Sequence, residues 1–256
     1  MTRWWPVFAL LLAGCGGASG AVPRAPHLRP EQLHDAATLS VADLGALARR
    51  PKGIIKQELT IAIHDVQSGK GFEGRGAVMV KPREALRMIL LGPGGTTAMD
   101  VWIAGARFRV AIPAIDRVVR GDASTPREKM RGMPVDLLWR WLVDPFGGTP
   151  VAARRGLVAD DGRVIDGDGL VAFLKRGPTS FEVRARHGAT ARGWFFERGR
   201  LVGVATGREI AIGDGLFPAD VDYVGLDPRM TVEVRATGAT VVPEVSPAVF
   251  ADPDAR

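Results

Sequence analysis

The chain has 256 residues, 46% of them hydrophobic and 24% charged, a composition that builds a full core and excludes disordered and collagenous chains. Lys and Arg number 34 against 28 Asp and Glu, for a net charge of +6, and a single cysteine, Cys15, excludes an internal disulfide framework and any multi-cysteine metal site. The basic excess is spread along the chain, so it favours an anionic partner, membrane or nucleic acid, without choosing between them.

Met1-Thr2-Arg3 precedes a ten-residue apolar run, residues 4–13, and then Gly14-Cys15-Gly16-Gly17. This is the layout of a secretory signal peptide, and the run is too short to cross a bilayer as a helix. Leu12-Ala13-Gly14-Cys15 resembles the bacterial lipobox, in which the peptide is cut just before the cysteine and the thiol carries diacylglycerol. On that resemblance residues 1–14 are a lipoprotein signal peptide and Cys15 is the lipidation site. Three acyl chains, each burying about 0.8 kcal/mol per methylene, then make a stable anchor where one chain holds only marginally. Gly16 stands where an Asp would resemble an inner-membrane retention signal, which favours the outer membrane, lipid-anchored on its periplasmic face. Residues 15–31 read as the lipidated cysteine and a flexible tether rich in Gly, Ala and Pro, and residues 32–256 as the folded domain.

Leu33, Ala36 and Ala37, then Leu44, Leu47 and Ala48, recur at helical spacing. Ser40 and Asp43 look like a capping box for a helix from Val41, and Pro51 closes the stretch. From Gly53 the period changes to two, with Leu59, Ile61 and Ile63 on one face of a strand. Strand-like runs follow at residues 76–80, 86–91, 99–104 and 107–112, with tight connections such as Gly92-Pro93-Gly94-Gly95 and Gly105, which predicts an up-and-down antiparallel meander. A second helix is predicted over 133–145, led by Pro134 and ended by Pro145, with Val135, Leu138, Trp139 and Leu142 on one face. Strands resume at 151–159, 170–175, 181–186, 193–197, 201–206, 208–212 and 231–236, with Arg198-Gly199 and Thr206-Gly207 as hairpin turns. The Pro-punctuated segment 242–250 is expected to pack across the sheet rather than join its centre. About a dozen strands and two helices predict a mainly β (α+β) fold, an incomplete antiparallel β-barrel with covering helices.

Enzymatic chemistry has no positive signal. No serine lies in a Gly-x-Ser-x-Gly frame, and His27, His34, His64 and His187 include no pair at zinc-ligand spacing. The glycines around Pro93 lack the Lys-Ser/Thr of a phosphate loop. The acidic stretch from Asp160 to Gly169 lacks the closing Glu of a calcium loop and reads as a hairpin turn, and Arg120-Gly121-Asp122 reads as a basic loop. No metal or cofactor is therefore expected. Trp139 and Trp141 flank Arg140 on a helix but point about 100° apart at each step, so they form no stacking platform and no nucleic-acid partner is expected. The basic excess, +5 once Arg3 is removed with the signal peptide, then suits anionic lipid or an envelope protein.

The order of motifs carries a family resemblance. A lipobox, an N-terminal helix, Gly76-Ala77-Val78-Met79-Val80, Leu86-Arg87-Met88-Ile89-Leu90-Leu91 and then Gly92-Pro93-Gly94-Gly95-Thr96-Thr97 resemble the LolB family of outer-membrane lipoprotein receptors within the LolA/LolB superfamily. Met133-Pro134-Val135-Asp136-Leu137-Leu138-Trp139-Arg140-Trp141-Leu142 looks like the same family's Pro-led helix. The resemblance implies a half-barrel whose hydrophobic cavity holds acyl chains of lipoproteins or lipids, closed by helices, with a role in lipoprotein transport. Carried over position by position, it makes Leu86, Met88, Leu90, Met99 and Val101 candidates for the cavity wall, and Trp139 and Leu142 candidates on the covering helix. Where LolB carries a protruding leucine after the proline, this chain has Gly94, which points to a diverged relative. The alternative is an assembly lipoprotein with a filled core that docks an envelope protein.

Overall fold

The computed structural model describes residues 37–38, 50–122, 124–125, 135–143, 149–158, 164–176, 178–226 and 229–255. The expected signal peptide, Cys15, the tether and the helix from Val41 up to residue 49 lie outside the described residues. Fourteen strands form one antiparallel sheet: β1 (Ala37–Thr38), β2 (Ile54–Asp65), β3 (Gly71–Lys81), β4 (Ala85–Leu91), β5 (Thr97–Ala104), β6 (Arg107–Ile112), β7 (Arg117–Asp122), β8 (Thr149–Val158), β9 (Val164–Lys175), β10 (Ser180–His187), β11 (Thr190–Glu197), β12 (Arg200–Ile212), β13 (Gly215–Leu226) and β14 (Arg229–Val242). Their spatial order is β1-β8-β9-β10-β11-β12-β13-β14-β2-β3-β4-β5-β6-β7, so two meanders meet where β14 lies beside β2, and the sheet is open, with β1 and β7 at its ends.

Local chemistry explains most of these strands. In β2, Ile55, Leu59, Ile61 and Ile63 are buried while Lys56, Glu58 and Thr60 face solvent, the period-two pattern of a strand with one buried face. Arg198 and Gly199 both have positive φ, 49° and 73°, as the tight β11–β12 hairpin requires.

Several expectations fail for identifiable reasons. Thr206-Gly207 is no turn, because β12 runs unbroken from Arg200 to Ile212. Gly207 serves close approach instead: a Cβ there would lie 2.1 Å from the Asp220 carbonyl oxygen and 2.8 Å from Cζ2 of Trp141. The expected loop at Arg120-Gly121-Asp122 is the end of strand β7. Strand β13 has no counterpart in the sequence reading, since Pro218 argues against an inner strand; it is tolerated where the β12–β13 register shifts at Arg208/Glu209. Asp166-Gly167-Asp168-Gly169 belongs to β9 rather than to a turn, at the point where the β8–β9 register jumps from Leu157↔Ile165 to Arg155↔Leu170.

One helical segment among the described residues packs on the sheet, in place of the covering helices expected. It comprises α1 (Val135–Leu138) and a π turn (Trp139–Val143). It also shows that the sheet is curled. The Arg140 carbonyl accepts a hydrogen bond from Nη2 of Arg184 on β10 at 2.7 Å, and the Val143 carbonyl accepts one from the Arg83 amide in the β3–β4 turn at 2.8 Å. In a flat sheet β10 and β4, seven strand steps apart, would be separated by about 34 Å. Residues three apart in a helix span only about 5 Å, so the two limbs of the sheet must curve toward one another.

The concave face and this segment form the main core cluster, which runs from Ile55, Val78 and Val80 through Leu86, Met88 and Leu90 to Phe195, Phe217 and Val232. A second cluster, Val171, Phe173, Val183, Ala185, Trp194 and Val204, lies on the opposite face of β9–β12. As expected, the C-terminal segment crosses the outside of the sheet. Arg87, Trp102, Arg109 and Arg120 form one cross-strand row on β4–β7. Trp102 Nε1 donates to the Phe250 carbonyl at 2.8 Å, Arg109 pairs with Asp254 at 2.9 Å, and Arg120 pairs with Asp252 and Asp254.

Two predictions follow from this packing. Gly207→Ala forces a methyl into backbone and indole, and it is expected to cost about 2 kcal/mol or more in urea denaturation. Hydrogen bonds from Arg120, joined at Asp254 by Arg109, hold the Asp252 and Asp254 carboxyls below their usual range. The part of tail docking that these ion pairs contribute is thus fully present above the ordinary carboxylate value of about 3.9 and is lost as pH falls through the lowered values. Protection of the 246–255 amides, measured relative to intrinsic exchange at each pH, is expected to hold at pH 5 and to decrease only below that ordinary value.

Candidate functional site

The interior of the curled sheet brings together the residues carried over from the resemblance. Val78, Met88, Val101 and Val110 form one cross-strand row, and Val80, Leu86, Ile103 and Phe108 the next. Leu86, Met88 and Leu90 have no solvent-accessible surface, and Met99, Val101 and Leu142 are buried in the same cluster. Trp139 is only partly buried at its margin. Trp141, placed by sequence off the apolar face, is buried with Leu142 and Val143. The π turn accounts for this, because its extra residue shifts the phase of the helix and brings Trp141 inward. The expected tip after Pro93 is an exposed 3-10 turn in which Gly94 takes φ 75° and a Cβ would meet nothing within 4 Å, so the tip presents no apolar side chain there.

A second feature of the interior has no counterpart in the sequence reading. On β10, Glu182, Arg184 and Arg186 alternate with Val183 and Ala185, and the charged face is the one turned inward. Arg184 shares a row with Gly193 and Ala205, and Arg186 one with Ala191 and Gly207. These small neighbours make room for Trp141, whose ring centre lies 4.4 Å from the Arg184 guanidinium carbon. Glu182, fully buried, pairs with Arg176 at 2.9 Å and with Arg184 at 3.0 Å. Glu209, at the β12 bulge, lies 3.5 Å from Arg50 and 3.7 Å from Arg186. Arg50 is fixed by donating to the Leu216 carbonyl at 2.6 Å, while its Nε and Nη2 are buried with no hydrogen-bond partner.

Among the described residues the cluster thus joins Arg50, Arg176, Arg184 and Arg186 to Glu182 and Glu209, with Glu182, Arg184 and Glu209 buried. Burial, opposed by Glu209 and reinforced by repulsion from Arg184 and Arg186, holds the Arg50 guanidinium down to about 10. Burial likewise lowers Arg184, against the pull of Glu182. Among the described residues no three His, Cys, Asp or Glu side chains come together as a metal site.

The sequence matches no protein-family profile and no curated protein. Solved structures do match in fold. A LolA superfamily protein from Nitrosomonas europaea superposes with a TM-score of 0.54 at 13% identity, over 82% of this chain and 95% of that one. The chain has a LolA-like fold. A domain described as an outer membrane lipoprotein-sorting protein, from Vibrio parahaemolyticus, matches it with a TM-score of 0.52 at 11% identity, over 82% of this chain and 94% of the other. Within this LolA-like fold the short helical segment is the only described element that faces the sheet interior, and its contact with the ionic cluster is made through Arg184.

Removing Arg184 takes away the hydrogen bond to the Arg140 carbonyl and one of the two cations on buried Glu182. Arg184→Met is expected to cost about 3 kcal/mol in chemical denaturation, and adding Glu182→Gln to recover part of it, because an unpaired buried charge costs more than a neutral group there.

Proposed function

We propose that this chain is a non-enzymatic outer-membrane lipoprotein, anchored through acylated Cys15 on the periplasmic face, that binds acyl chains of lipoproteins or lipids inside its open sheet. The observation that carries the reading is an apolar interior, walled by Leu86, Met88, Leu90, Met99 and Val101, that is filled by one short helical segment rather than by the sheet's own side chains alone. Comparison with LolA-superfamily folds supports the same reading.

Magnitudes make the exchange feasible. The segment buries Val135, Leu137, Leu138, Trp141, Leu142 and Val143, on the order of ten kcal/mol at about 1.5–3 kcal/mol for each large apolar side chain. An acyl chain of about fifteen methylenes offers roughly 12 kcal/mol at about 0.8 kcal/mol each. Withdrawal of the segment and entry of a chain nearly balance, as reversible loading and release require. Specificity comes from the shape of the interior, and the basic excess favours an anionic lipid surface.

The direct test is native mass spectrometry of gently purified protein. One acyl lipid per chain is expected; repeated absence of lipid, together with no uptake of a fluorescent fatty acid, would instead assign the filled-core reading, which complete burial of Leu86, Met88 and Leu90 favours. For the anchor, the wild-type protein is expected in the detergent phase of a Triton X-114 extraction and Cys15→Ser in the aqueous phase. Wild type in the aqueous phase removes the anchor from the proposal.

A further inference from the structure

The ionic cluster inside the sheet is costly if its only role is structural. Among the described residues Arg50, Arg176, Arg184 and Arg186 gather about Glu182 and Glu209, and the guanidinium of Arg50 leaves two N–H-bearing nitrogens, Nε and Nη2, with no acceptor although its side chain is only 7% exposed. A buried donor without an acceptor loses its hydration without return. An oxyanion placed beside Arg50 supplies that acceptor. The indole N–H of Trp141 is a further buried donor with no partner, on the side chain that lies over Arg184.

The ground for such an anion is occupied by Trp141. Its indole rests on Gly207, close enough that a Cβ there would clash, beside Ala191 and Ala205 and flanked by Arg184 and Arg186. With the indole moved aside, the ground beneath it would be Gly207, Ala191 and Ala205, beside Arg184 and Arg186. Trp141, Ala191 and Ala205 belong to the same apolar cluster as Leu86, Met88 and Leu90. An amphiphile with an apolar chain and an anionic end matches that division of the interior point for point, chain against the aliphatic wall and head against the arginines.

We propose that this cluster is the seat for the oxyanion head, a carboxylate or phosphate monoester, of the bound acyl ligand, with Arg50 supplying the unmatched donors and Trp141 taking the place of the head group in the closed form. The inference rests on the acyl-binding reading above and adds the chemistry of the head group to it. Bidentate geometry makes arginine the suited residue, since its fork matches the two oxygens of a carboxylate or phosphate.

The test uses the full chain carrying Cys15→Ser, titrated calorimetrically at fixed ionic strength with octanol, octanoate, octyl phosphate and inorganic phosphate, all below micellar concentrations. Octyl phosphate and octanoate are expected to bind about tenfold or more tightly than octanol, with inorganic phosphate much weaker than octyl phosphate. Arg50→Met is expected to abolish that preference. Arg50→Lys keeps a charge and a donor for Leu216, so it guards against loss of fold; it is expected to weaken octyl phosphate severalfold. Equal binding of octanol and octyl phosphate by the wild type overturns the head-group seat and leaves acyl binding standing. Absence of binding by all three chain-bearing ligands overturns acyl binding and the seat together. Inorganic phosphate bound as tightly as octyl phosphate overturns the lipid assignment in favour of a free anion. Octyl phosphate affinity unchanged in both Arg50 variants removes Arg50 from the site.

Discussion

Two main-chain carbonyls three residues apart tie the two limbs of the curled sheet to one another. The Arg140 carbonyl is bonded to Arg184 on β10 and the Val143 carbonyl to the Arg83 amide between β3 and β4, so a few residues of helix tie strands that a flat sheet would hold far apart. An open sheet of fourteen strands has no self-closing hydrogen bonds, and its concave face must be covered by something. Here the described part of the cover is the helical segment 135–143, whose Val135, Leu137, Leu138, Trp141, Leu142 and Val143 are buried. Its Trp141 reaches Gly207 on β12, and its Val143 is fully enclosed.

This arrangement fills the interior with side chains from two sources, the sheet and the segment. Core strands gain their stability from ladders that run the whole length of the sheet, such as the twelve-residue β2 against β14, and these do not depend on the segment. The segment depends on the sheet, through apolar burial and through two hydrogen bonds.

The outside of β4–β7 carries a charged row of its own. There Arg87 and Arg109 share Asp100, at 2.8 and 3.1 Å, and the C-terminal aspartates complete the row with Arg109 and Arg120. Together with the Trp102 hydrogen bond to Phe250, these pairs lay the tail over a tryptophan that would otherwise face solvent.

The meander from β2 to β6 was legible because β2 alternates, the strands after it are short apolar runs, and the turns carry Gly and Pro; residues 107–112 coincide with β6 and 86–91 lie within β4. Strand β13 was hidden by Pro218, and the unbroken β12 by Gly207, since a local reading cannot tell a glycine that makes a turn from one that admits an indole. The apolar wall was found through the family resemblance, whereas Arg50, Glu182, Arg184 and Glu209 were not found at all. Phe181-Glu182-Val183-Arg184-Ala185-Arg186 reads as a strand with its charges toward water, because alternation fixes that two faces differ and not which one is enclosed. The sequence by itself determined an antiparallel β fold with a predominantly apolar face and a lipobox-like start. Only the tertiary structure decided that the charged face of β10 points inward under a tryptophan, because that depends on the curl of the whole sheet and on a helical segment some forty residues away.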